Sequence, residues 1–266
     1  MKTGRVRPPA VAGTFYPADP KALTAVVTEA LNEAAATCST GAVPPAIVAP
    51  HAGYVYSGPV AASAYARVLP GRGQVEQVVL LGPAHTVALD AIASSSADGF
   101  ATPLGVVAVD AEARARLLRT GKVIVSDRAH AAEHSLEVHL PFIQIALGDV
   151  AIVPLVVGQV ASSLVADVLD ELWGGPETLV VVSTDLSHYH DHRTAQALDR
   201  RTAAAIVAKE PDQLGRGDAC GLHPVRGLLV AARRRGLDIE LVDLRTSADT
   251  AGDPDRVVGY GAFVVN

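Results

Sequence analysis

Several things are scarce in this 266-residue chain, and each scarcity excludes something. There are two cysteines, Cys38 and Cys220. A disulfide framework is therefore excluded, and a reducing cytoplasm is the simplest compartment. Basic residues do not dominate: 22 Lys+Arg against 28 Asp+Glu give a net charge of −6. That is a poor match for nucleic acid, which calls for a basic patch. Long hydrophobic runs are missing too. The most apolar stretch, Val150–Leu169, is interrupted by Pro154, Gln159, Ser162, Ser163 and Asp167, so it fails as a membrane span of about 20 apolar residues. It reads instead as a strand, a turn and the start of a helix. The first nine residues carry Lys2, Arg5 and Arg7 but no apolar stretch of a secretory signal. Disorder is excluded by the 49% of hydrophobic residues.

What remains is an alternation of short apolar runs and helical periodicity, the pattern of a mixed or parallel sheet covered by helices. Helices are expected at Pro20–Thr37, opened by Asp19-Pro20, and at Pro59–Val68, Ala111–Arg119, Ala195–Ala208 and Pro224–Arg235. Strands are expected at Ala46–Ala49, Gln77–Leu81, Ala151–Val157, Thr178–Val182, Glu240–Thr246 and Tyr260–Val265. No repeat or linker divides the chain, so the expectation is one α/β domain over residues 1–266 with a central mixed or parallel sheet flanked by helices.

Three apolar strands run straight into reactive residues: Ala46–Pro50 into His51, Val79–Ala84 into His85, and Leu179–Ser183 into Thr184-Asp185-Leu186-Ser187-His188. Ligands of open α/β sheets bind outside the carboxyl ends of the strands. A single histidine there is an ordinary hydrogen-bonded loop residue; the same placement three times argues for one polar cluster. Histidine is also the commonest metal ligand among side chains.

Two further segments concentrate chemistry. Read as a helix, Glu133–Phe142 places Glu133 and Glu137 four apart on one face, with His134 and His139 alongside. The segment is either a solvated helix start or a source of acid/base groups facing the pocket. In Ser187–His192 the histidines alternate at 188, 190 and 192. His188 is the expected functional member, with Asp185 orienting its imidazole. Cys220 precedes a helix expected near Pro224, a position that favours a thiolate. A cysteine nucleophile with His223 or His188 as base is the weaker reading of the same residue. Cys38, in a polar loop, is given no role. Gly53 and Gly58 suggest a tight turn, and Tyr54 and Tyr56 are either pocket donors or packed rings.

Arg7–Pro17, Ala49–Gly58, Leu81–His85, Glu133–Phe142, Ser183–Tyr189, Cys220-Gly221 and Gly259–Ala262 together resemble, in order and over nearly the whole chain, the Memo family, called in bacteria and archaea AmmeMemoRadiSam system protein B. The resemblance implies a fold similar to class III extradiol dioxygenases, which are non-haem iron enzymes. It implies metal binding at His51, His85 and Cys220, with iron or copper as the metal and zinc as a further option. Asp185, His188, Glu133, His134 and His139 are then the acid/base or substrate-polarising candidates. The true dioxygenases use two histidines and a carboxylate; a cysteine in the third position departs from that set. Two functions follow as expectations. One is a metal-dependent redox enzyme. The other is a non-catalytic module holding a small molecule, an anionic peptide or phosphopeptide, or a partner protein in the same cleft, with radical SAM and AMMECR1-type proteins as partners. No nucleic-acid or membrane partner is expected.

Overall fold

The computed structural model describes residues 4–37 and 41–266. In chain order the elements are β1 (Val6–Arg7), α1 (Pro20–Thr37), β2 (Ala46–Ala49), α2 (Tyr54–Ala66), β3 (Gln77–Pro83), β4 (Ile92–Ser94), β5 (Gly99–Thr102), β6 (Gly105–Ala108), α3 (Ala111–Arg119), β7 (Val123–Val125), α4 (Asp127–Ala131), α5 (Leu140–Leu147), β8 (Ala151–Val157), α6 (Ser162–Leu172), β9 (Thr178–Ser183), β10 (His188–His190), α7 (His192–Val207), α8 (Leu222–Arg235), β11 (Ile239–Thr246) and β12 (Val257–Val265).

The main sheet runs β10-β12-β2-β9-β3-β8-β4-β7, with β11 also paired to β12. Its centre, β2-β9-β3-β8, is parallel, while β12 and β4 join antiparallel on either side. A small sheet, β1-β5-β6, stands apart. The central strands are buried along almost their whole length, as strands covered on both faces must be. Successive side chains point to opposite faces. Thus Ile47, Val78, Leu80, Leu179 and Val181 enter one core beside α1, α2 and α5. Val48, Val79, Leu81, Val180 and Val182 enter a second core beside α6 and α8. The α/β architecture with a mixed sheet between helices is as the sequence pattern indicated.

The differences have local causes. Helix α2 starts five residues before the expected Pro59, which lies inside it. A proline there removes one backbone bond, and burial of Tyr54, whose hydroxyl donates to the Val138 carbonyl at 2.6 Å, holds the extra turn in place. Helix α7 begins at His192 because Asp191 caps it, accepting from the Thr194 amide at 3.0 Å. Glu133–Phe142 is not one helix. Residues 137–139 form a 3-10 turn and α5 begins only at Leu140, with Pro141 in its first turn, where a missing N–H costs nothing. The Glu133 carboxylate accepts from the Ser135 amide at 2.9 Å, and such a local side-chain bond competes with helix formation.

Candidate metal centre

Strands β2, β9 and β3 are neighbours and parallel, so their carboxyl ends share one edge of the sheet. Two residues beyond those ends stand His51, Asp185 and His85. They open into a cleft of about 810 Å³ that also takes in His134, His188 and Cys220. Its outer wall includes Phe15, Tyr56, Tyr189 and Arg256.

The tightest cluster is His51, His85 and His134, one ligand atom from each lying within 4.8 Å of the others. The His85 ring stacks on His134 with centroids 4.8 Å apart and planes at 18°, and His51 meets His85 edge-on at 5.1 Å. Cys220 stands against this group, its Sγ 3.3 Å from His51 Nε2. The expected trio of His51, His85 and Cys220 is therefore gathered in one place, and His134, expected as an acid/base group, joins it as a third imidazole.

Burial sets the protonation states. His51 is held well below its ordinary value by burial, reinforced by the neighbouring histidines. Burial lowers His134 and His188 as well. A neutral imidazole is the form that binds metal. His85 is held from behind by Glu133, whose Oε1 lies 2.9 Å from Nδ1 while Oε2 accepts from the His85 amide at 2.6 Å. Burial alone would raise the Glu133 carboxyl, but the His85 ring and the amides of Ser135 and His85 bring it down to about 2. This is the carboxylate–histidine arrangement that fixes the ring of a metal ligand. Three imidazole donors, of which burial favours the neutral form of His51 and His134, and a carboxylate supporting His85 fit a metal ion.

Several expectations change at this point. Glu133 and His139 do not face the cleft. Glu133 is committed to His85 and Ser135. His139 is buried, with its ring between the Tyr65 hydroxyl at 3.0 Å and Ser183 Oγ at 2.9 Å, and burial pushes it down to about 3. The expected Asp185–His188 pair is absent: His188 Nδ1 meets the Leu186 carbonyl at 2.8 Å. The Asp185 carboxylate instead accepts from the His51 amide at 2.8 Å. Burial raises it to about 7, against the lowering effect of that amide, the neighbouring His85 ring and the Ala52 amide. The expected thiolate at Cys220 is not favoured either. Burial and then the Asp185 charge push the thiol up, outweighing a helix that starts two residues later; a bound cation would act in the opposite direction. His223 donates Nδ1–H to the Val160 carbonyl at 2.9 Å, and the imidazole in contact with Cys220 is His51. Of the alternating histidines, only His188 lines the cleft; His192 Nδ1 pairs with Thr246 Oγ1 at 2.8 Å. Tyr54 is a packed ring, whereas Tyr56 lines the cleft. Cys38 lies outside the described residues.

Sequence reasoning missed Phe15 and Arg256. Phe15 arrives on an N-terminal strap fixed to Glu137. The Glu137 carboxylate takes the Arg7 guanidinium, the amides of Ala10 (2.7 Å) and Val11 (3.0 Å), and the Tyr16 hydroxyl (2.6 Å). Arg256 stacks on Tyr189, 4.4 Å from the ring centroid. Tyr189 sits at φ 64°, between the two β10 residues where the pairing with β12 shifts register; such left-handed backbone is rare for a bulky residue. No spacing in the sequence signals either arrangement.

An α/β protein with a histidine-lined cleft at its strand ends is thus defined. The family described as Memo-like protein matches residues 7–264. MEMO1 family proteins of Methanopyrus kandleri (38% identical over 285 residues, 97% of this chain and 98% of that one), Ignicoccus hospitalis (37% over 280 residues, 97% of each) and Aquifex aeolicus (36% over 271 residues, 96% and 97%) are similar along their whole length. The chain belongs to the Memo-like family. Among the described residues, no helix is long and apolar enough to cross a membrane.

Proposed function

We propose that this is a metal-dependent redox protein related to the non-haem iron dioxygenases, with iron or copper held at the strand-end cluster. The observation that carries the reading is the approach of His51, His85 and His134 to within 4.8 Å, with the Cys220 sulfur beside them. His51, His85 and Cys220 are the proposed ligands, with His134 completing or replacing one of them. Imidazoles suit iron, copper and zinc, and a thiolate moves the preference towards copper(I), zinc or thiolate-bound iron. A bound redox metal would supply electron transfer and activation of a substrate held beside it. The chain's own contributions are separate. Glu133 orients His85. Asp185, near neutrality at about 7, is placed to exchange a proton in the cleft, as is His188. Phe15 and Tyr56 add apolar and hydroxyl-bearing surface to the same cleft.

Arg256 supports a second reading. Among the described residues it makes no ion pair, and it is the one Lys or Arg that lines the cleft. The cleft would then hold a small anionic molecule or an anionic peptide without turnover, in an assembly with radical SAM and AMMECR1-type proteins.

Metal analysis by mass spectrometry tests the first reading, on untagged protein purified anaerobically beside His51→Ala, His134→Ala and Cys220→Ala. The expected result is close to one metal per chain in the wild type and its loss in His51→Ala. Protein that stays metal-free after exposure to iron, copper and zinc would turn attention to the binding reading, checked by titrating an acidic peptide against wild type and Arg256→Gln.

A further inference from the structure

Behind His51 lies a line of buried polar side chains that the cleft does not use. Ser183 Oγ has three partners: the Ser135 carbonyl at 2.7 Å, His51 Nδ1 at 2.6 Å and His139 Nε2 at 2.9 Å. Tyr65 extends the line, its hydroxyl 3.0 Å from His139 Nδ1. None of the four side chains is more than 2% exposed, so water cannot repair a mismatched hydrogen bond.

Proton counting fixes the pattern. A serine hydroxyl has one hydrogen and two lone pairs. A carbonyl can only accept, so the Ser183 hydrogen goes to Ser135. Both imidazoles must then donate to Ser183. His51 is therefore the Nδ1–H tautomer, with its Nε2 lone pair on the cleft side, where Nε2 meets Cys220. His139 is the Nε2–H tautomer, and its bare Nδ1 requires the Tyr65 hydroxyl as donor. Burial holds the Tyr65 phenol well above its ordinary range and His139 at about 3, which keeps both in the states this chain needs.

We propose that Ser183 is a hub through which the buried His139–Tyr65 pair locks the His51 tautomer, so that the strength of metal binding in the cleft is set from the core behind it. Ser183, His139 and Tyr65 are positioning residues. The proposal rests on the metal reading above and adds three residues to it, none of which lines the cleft. Outer partners of ligating histidines commonly contribute 10–100-fold in metal affinity.

Two measurements test it. The first is the ring-nitrogen NMR spectrum of the metal-free protein, which reports tautomers directly. His51 should carry its proton on Nδ1 and His139 on Nε2; an Nε2–H tautomer at His51 overturns the proposal. The second is cobalt(II) affinity by competition with a chromogenic chelator, alongside thermal melts of the metal-free proteins. Ser183→Ala should weaken cobalt binding at least tenfold, and Ser183→Thr, which keeps the hydroxyl, should restore most of it. Tyr65→Phe, whose ring can keep its stacking on Phe142 at 5.1 Å, should weaken binding in the same direction by a smaller factor, and it carries the test should Ser183→Ala fail to fold. Cobalt affinities within twofold of wild type in folded Ser183→Ala and Tyr65→Phe would overturn the proposal. A wild type that binds no cobalt defeats the metal reading instead, and the tautomer spectrum still decides whether Ser183 sets the ring.

Discussion

Replacing Glu137 by glutamine changes one atom and should be among the most damaging substitutions in the chain. The carboxylate is fully buried and faces four donors: the Arg7 guanidinium, two backbone amides and the Tyr16 hydroxyl. A glutamine offers one oxygen to that set and turns an NH₂ towards the rest. Arg7, itself only 6% exposed, loses its counter-charge while still donating to the carbonyls of His130 (3.0 Å) and Glu133 (2.6 Å). Breaking a buried pair by removing one partner costs about 3–5 kcal/mol. For a chain of this size, about 2–4 °C of Tm per kcal/mol places the loss at about 6–20 °C. A thermal melt of chelator-treated protein, repeated in urea, measures it. The same reasoning makes the double substitution Arg7→Met/Glu137→Leu less harmful than Glu137→Gln alone, because it leaves no unpaired charge. A Glu137→Gln Tm within 2 °C of wild type would refute the argument, and so would a double variant worse than the single.

Two other expectations follow from burial. Asp185 is raised to about 7, whereas an unfolded aspartate titrates near 4. The native state thus binds the extra proton between those values, so Asp185 contributes stability that is lost as pH rises from about 4 to 7, opposing the buried histidines, whose lowered values make the native state gain stability over the same range. Asp185→Asn should therefore shift the change in stability between urea midpoints taken at pH 5 and pH 8 towards greater gain than in wild type; the same change in both proteins would refute the assignment to Asp185. At the crossing of α6 and α8, a methyl group on Gly227 would overlap Val165. Gly227→Ala should therefore lower stability by about 1–3 kcal/mol despite its better helix propensity, and a stabilised variant would contradict the packing.

The sequence made the sheet centre legible because strands buried on both faces leave uninterrupted apolar runs, as at Ala151–Val157. It also showed which strands end in chemistry, since His51, His85 and Asp185 each follow such a run directly. What it concealed depends on groups far apart in the chain. Glu133 and Glu137 look like one helical face, yet they serve His85 and Arg7 respectively. His139 reads like His134, and only the fold reveals that one is enclosed by Tyr65 and Ser183 while the other stacks on His85. Elements such as β1, β4 and β7 are too short, at two or three residues, for any periodicity to show.

The strap bound to Glu137 also bears on the order in which the molecule is built. Arg7 and Glu137 are 130 residues apart, so the segment that leaves the ribosome early cannot settle until roughly half the chain has followed it. Phe15 rides on that segment, so one wall of the cleft depends on the same long-range anchor. Contacts over such separations slow folding. The histidine cluster waits longer still: β9, at residues 178–183, lies between β2 and β3, so His51 and His85 take their places side by side only after both the strap and its Glu137 anchor have been made.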